Sequence, residues 1–160
     1  STPKPSSAAS DVYKRQGANG GCDNDESRAI RRYHKENPPD LQSGMTRSLS
    51  SSFVESKPHE SFLHRQIMRL NPKHPPDFLA VPNHLIGYST HERLEALNIP
   101  IMFIVGMKDI LVAPGTVEVA ASLVNGAILV RIPHVGHSTY YEDPQFFNKT
   151  VLEFLTDEVY

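Results

Sequence analysis

Asp109, His137 and Ser138 are the side chains of the last third of the sequence whose types and spacing could do chemistry. Asp109 stands three residues beyond Gly106, where the apolar run Ile101-Met-Phe-Ile-Val105 stops. His137 stands in the loop Pro133-His-Val-Gly-His137-Ser, after the second apolar run, Ala127-Ile-Leu-Val-Arg-Ile132. A carboxylate beside an imidazole fixes the tautomer of the ring and supports the charge it gains on taking a proton. The chemistry on offer is therefore proton transfer to and from a nucleophile. Ser138 is a tempting nucleophile and a poor one. A reactive serine needs a sharp strand-to-helix elbow between glycines, Gly-x-Ser-x-Gly, and no such pattern occurs in the chain. Plainer readings stand beside these. An Asp after a strand is often a turn residue or helix cap, and a His in a glycine-containing loop is often only a surface hydrogen-bonding group.

The elements around the two residues follow from period and punctuation. Ile101 to Val105 is too short for a helix and suits a strand buried on both faces of a parallel sheet. Pro114 can open a helix, because its missing N–H would have no partner there. Val117, Ala120, Ala121 and Val124 mark one face of that helix, and Gly126 is placed to end it. Ala127 to Ile132 reads as the second strand. Asp143-Pro144 opens a last helix with Phe147, Val151, Phe154 and Leu155 on its buried side. Two strands joined by a helix form a βαβ unit, and in open sheets of this kind chemistry gathers at the carboxyl ends of the strands. Asp109 and His137 each follow such an end.

The sequence Ile-Pro-Ile-Met-Phe-Ile-Val-Gly-x-x-Asp109, followed by Gly-His137-Ser-x-x-x-Glu-Asp-Pro144, resembles the C-terminal half of the α/β-hydrolase fold in its lactonase, esterase and haloperoxidase-like branch. The likeness runs from about Tyr88 to Leu155. Either motif alone is weak; both, in order and separated by one helix and one strand, are specific. The resemblance implies that Asp109 is the acid member of a catalytic triad and His137 its general base. Triads on this fold run nucleophile, acid, histidine along the chain, and only the last two are present here.

At 160 residues the chain allows one domain but is short for a complete hydrolase of this type. A net charge of −2 gives no support for nucleic acid or an acidic membrane surface as a partner. Cys22 is the single cysteine, which leaves no disulfide framework and no cysteine zinc site. There is no apolar run of about 18 residues and no apolar signal-peptide core, so the default expectation is a soluble cytoplasmic protein. Residues 1 to 16 read as a disordered, non-native tail. Within them Asp11-Val-Tyr-Lys-Arg-Gln16 resembles the translation of a transposon-end sequencing adaptor. On that reading the front half of the fold, with its early strands, oxyanion loop and nucleophile elbow, is missing.

Residues 17 to 25 continue as loop, so the tail and loop together cover 1–25. Residues 26 to 90 read as short helices with no strand signal, which the resemblance makes a helical cap over the active site. Residues 91 to 160 are then the C-terminal part of the hydrolase core. Arg28, Arg31, Arg32 and Lys35 read as a solvated helical face. Leu41, Met45, Leu49 and Phe53 have helical spacing, weakened by Ser48 to Ser52; Pro58 to Leu70 is a better helix. Phe78 to Ile86 is helical except at Pro82, and Ser89 or Thr90 caps a short helix over His91 to Leu97. Phe53, Phe62, Met68, Leu79 and Leu85 could form an apolar substrate wall, or simply pack helix on helix, and none is given a binding role.

Eight histidines invite a metal hypothesis, but neither His-Glu-x-x-His nor any Cys/His ligand spacing occurs, and His134-x-x-His137 is the one close pair. No metal and no cofactor are expected, and no nucleotide, since phosphate-binding glycine motifs are lacking. The expectation is a fragment of an α/β-hydrolase acting on a small ester, lactone or related carbonyl substrate through a nucleophile–His137–Asp109 triad. Its nucleophile and oxyanion hole belong to the missing N-terminal half, and the chain alone should be inactive. Two alternatives stay open. One is the same fold with an Asp nucleophile, as in dehalogenases or epoxide hydrolases; the other is a truncated, non-catalytic binding module.

Overall fold

The computed structural model describes residues 24–37, 47–70 and 91–156. The expectations for the N-terminal tail, for Leu41 and Met45, for the 78–86 helix with Leu79 and Leu85, and for a cap at Ser89 or Thr90 lie outside those residues. The elements run α1 (Asp25–Glu36), α2 (Ser51–Ser56), α3 (Pro58–Leu70), α4 (His91–Ala96), β1 (Met102–Gly106), α5 (Pro114–Ser122), β2 (Ile128–Ile132), α6 (Thr139–Glu142) and α7 (Pro144–Leu155). β1 and β2 pair in parallel, from Met102 opposite Ile128 to Gly106 opposite Ile132. Parallel pairing places both strand ends, and the loops after them, at the same edge.

The helices begin where their sequences supply partners for unpaired N–H groups. Asn24 caps α1 with its side chain on the Ser27 amide at 2.8 Å, and the Ser27 hydroxyl answers on the Asn24 amide at 3.1 Å. Asp25 and Glu26 in the first turn suit the positive end of the helix dipole. Ser50 caps α2 through the Phe53 amide. Pro114 is the first residue of α5. Asp143 caps α7 on the Phe146 amide at 3.1 Å, with Pro144 next.

The core sits where α5 crosses the sheet: Phe103 of β1 packs with Val119, Ala120, Ala121 and Val124, and Ile30, Leu94, Ile101 and Leu129 close in around them. α1 lies against α5, with Ile30 touching Gly115, while its Arg28, Arg32 and Lys35 stay exposed. Phe103→Ala should cost about 3–5 kcal/mol, the usual range for emptying an aromatic core position. Urea unfolding should show the midpoint falling by a matching amount with an unchanged slope.

Four local expectations need correction. α5 stops at Ser122, four residues before Gly126, because the amides of Leu123 and Val124 turn back onto the Ala120 and Ala121 carbonyls in a tighter turn. Gly126 takes its left-handed backbone, φ 74°, in the loop that follows. Leu49 and Phe53 do not share a helix; Leu49 precedes the Ser50 cap, although both are buried. β1 is not buried on both faces. Phe103 and Val105 are buried, whereas Met102 and Ile104 are half-exposed, since the two strands among the described residues make a sheet too narrow to enclose both sides. The apolar side of α7 is likewise only half covered: Phe147, Val151 and Phe154 are intermediate and Leu155 is exposed, with Thr150 its one buried residue. No described helix is long and apolar enough to cross a membrane.

Candidate active site

The loops after β1 and β2 are stitched to each other by their backbones. The Met107 amide donates to the Ile132 carbonyl and the Lys108 amide to the Val135 carbonyl, each at 2.9 Å. The Asp109 amide turns back onto Gly106 at 3.0 Å. This closeness requires glycine. A Cβ on Gly106 would stand 2.1 Å from the Gly136 carbonyl oxygen and 2.6 Å from that of Val135.

Into this joint Asp109 and His137 project together, with Nδ1 of His137 2.8 Å from Oδ2 of Asp109. The other oxygen of Asp109 accepts the amides of Leu111 and Val112 at 2.8 and 3.0 Å. The turn-residue reading of Asp109 is therefore true of one oxygen, and the histidine-partner reading of the other. The turn fixes the carboxylate, and the free oxygen meets the ring. The Asp109 side chain is 9 % exposed and that of His137 30 %. The hydrogen bond to Asp109, reinforced by its charge, raises the pKa of His137 above 6.5 against the opposing pull of burial. With Nδ1–H donated to the carboxylate, Nε2 is left to accept a proton from a hydroxyl, the chemistry of a general base.

Ser138 is buried and its amide donates to the Ser48 carbonyl at 2.9 Å. It starts α6 on a turn that follows a loop, not on a strand-to-helix elbow. His134 points elsewhere: its Nε2 lies 2.9 Å from Oδ2 of Asp143, so it does not share a centre with His137. Among the described residues no group of three His, Cys, Asp or Glu side chains could hold a metal ion.

One residue at this site went unassigned in the sequence reading. Glu142, inside the Gly-His-Ser-x-x-x-Glu-Asp-Pro motif, is 4 % exposed and accepts the amides of Gly136 and Ser50 as well as the Ser50 hydroxyl. Burial pushes its carboxyl up from the ordinary value, opposed by those three bonds and assisted by the nearby charge of Asp109. The motif itself was the only available signal, because its partners are backbone groups. Of the apolar residues considered for a substrate wall, Phe53 is buried against Tyr141, with ring centroids 5.9 Å apart, while Phe62 and Met68 are about half exposed.

The fold has solved counterparts. A thermophilic esterase from Thermogutta terrifontis superposes with a TM-score of 0.56 at 23% identity, covering 84% of this chain and 52% of its own. Est816, an N-acyl homoserine lactone degrading enzyme, gives 0.55 at 20% identity, over 86% of this chain and 54% of its own. The enol-lactonase from Burkholderia xenovorans LB400 gives 0.50 at 19% identity, over 82% and 47%. The chain has the fold of the C-terminal half of an α/β-hydrolase. It spans about half the length of these solved structures. No protein-family model matches the sequence, and no curated protein matches it.

Proposed function

We propose that the chain supplies the acid and the base of a hydrolase acting on a small ester, lactone or related carbonyl compound. His137 is the general base, Asp109 orients it, and the nucleophile and oxyanion hole belong to the preceding half of the same fold. The observation that carries this reading is the 2.8 Å contact between Nδ1 of His137 and Asp109, made in loops that follow adjacent parallel strands. Solved esterases and lactonases of the same fold support the class of substrate. In the reaction, Nε2 takes the proton of the attacking hydroxyl and later returns one to the leaving group. Asp109 holds the imidazolium in between, and water activated by the same ring releases the acyl group. Helices α2 and α3 serve as part of the cap.

The 160-residue chain mixed with an activated ester such as p-nitrophenyl butyrate should give no burst of p-nitrophenol, because it presents a base without its nucleophile. A longer chain carrying an elbow serine ahead of residue 17 should give a burst, and His137→Ala there should lower kcat by about 10⁴-fold or more. A burst from the short chain, or full turnover without His137, refutes the assignment. Turnover of a haloalkane or an epoxide in place of the ester would assign the elbow an Asp.

A further inference from the structure

Glu142 is the most deeply buried carboxylate among the described residues, and the proton chemistry proposed above does not use it. Burying a carboxyl is unfavourable unless hydrogen bonds replace its lost water. Here its oxygens divide the work. Oε1 accepts the Gly136 amide at 2.8 Å, and Oε2 accepts the Ser50 amide at 3.1 Å together with the Ser50 hydroxyl. The Ser50 hydroxyl also reaches the His134 carbonyl, at 3.3 Å. On the far side of the histidine, the Ser138 amide is held by the Ser48 carbonyl at 2.9 Å. His137 thus stands between two residues whose amides are each fixed by this clamp. Gly136 has no side chain because the space is taken: a Cβ there would lie 2.8 Å from the Ser50 nitrogen and 2.9 Å from Oε1 of Glu142.

We propose that Glu142 is the positioning residue for His137, pinning the histidine loop to residues 48–50 and so setting where the imidazole stands against Asp109. This rests on the reading of Asp109 and His137 as a working pair. The same clamp reaches the helices α2 and α3. Residues 48–50 lead into α2, and Tyr141, beside Glu142, carries the rings of Phe53 and of His64, the latter with its centroid 4.8 Å away. The seating of those helices and the position of the ring are one mechanical unit.

The test uses the 160-residue chain, Glu142→Gln, Glu142→Asp and Asp109→Asn, with the low-field Nδ1–H resonance and the titration of His137 read by NMR. Gln cannot accept from both amides, and Asp keeps the charge but is too short to span them. Both Glu142 variants should therefore lose the low-field resonance and bring the titration of His137 toward that of an ordinary histidine. An effect of charge alone would spare the Asp variant, and a merely structural Glu142 would lower the melting temperature while leaving the resonance in place; either result overturns the proposal. If both variants fail to fold, the native chain decides. Through the titration of the Glu142 carboxyl carbon, the amide protons of Ser50 and Gly136 and the His137 Nδ1–H should shift together, and an indifferent His137 overturns it. Asp109→Asn separates the two levels. If that variant keeps the resonance, the Asp109–His137 reading fails. If only the Glu142 variants keep it, the pair stands and the clamp fails.

Discussion

Asp109→Asn should lower the pKa of His137 and, in a chain carrying the nucleophile, cut kcat by about 10⁴-fold, the order seen when a triad loses its acid without losing its shape. The amide can still offer an oxygen to the Leu111 and Val112 amides, so the turn survives. Its NH₂ then faces Nδ1 and forces the proton onto Nε2, the nitrogen needed as base. The same variant carries a signature in stability. His137 is raised from 6.5, with the Asp109 hydrogen bond as the largest cause. The pair therefore stabilises the fold fully below the unfolded value of 6.5, and that contribution is lost as pH rises through the higher folded value. Urea unfolding should show the native chain more stable than Asp109→Asn at pH about 5.5, with the gap shrinking toward pH about 9. A gap that is constant or widens with pH contradicts an ion pair at this position.

Gly106→Ala should be the most damaging methyl that could be added to any of the described glycines. Its Cβ would stand 2.1 Å from one backbone oxygen and 2.6 Å from another, and neither can swing aside as a flexible side chain does. Overpacking of ordinary core sites costs about 1–3 kcal/mol. Here relief requires parting the two loops, which breaks the hydrogen bonds donated by the Met107 and Lys108 amides and separates Asp109 from His137. The expected cost is at least about 3 kcal/mol, a large share of the 5–15 kcal/mol that holds a typical domain. Circular dichroism melts should show a loss of the cooperative transition or a fall of many degrees, and the low-field His137 resonance should vanish. A melting point within a few degrees of the native chain would mean that the loops can separate at little cost.

The strand–helix–strand unit was legible because its signals are local: short apolar runs, Pro114 at a helix start, and Asp143-Pro144 at the next. Parallel neighbours put their carboxyl ends side by side, so the meeting of the two loops follows from the order of elements. The end of α5 was not legible, because Gly126 is a strong stop signal and the chain turned earlier onto Ala120 and Ala121. The burial of β1 was overestimated because an apolar run reports what a strand could bury, not how wide a sheet covers it. The clamp was hidden for a different reason. Ser50 and Glu142 are 92 residues apart, Ser48 to Ser52 registers only as a weakness in a helical pattern, and Glu142 only as one letter of a motif. Nothing in local pattern announces a carboxylate whose partners are backbone amides.

The backbone bonds from Met107 to Ile132 and from Lys108 to Val135 carry the ladder of the sheet past its last paired residues. A shear that drags one tip must therefore drag the other, and acid and ring ride as passengers on a single rigid lip. Their spacing is fixed where that joint meets the contacts on residues 48–50, so surroundings that leave both in place could change without retuning the gap.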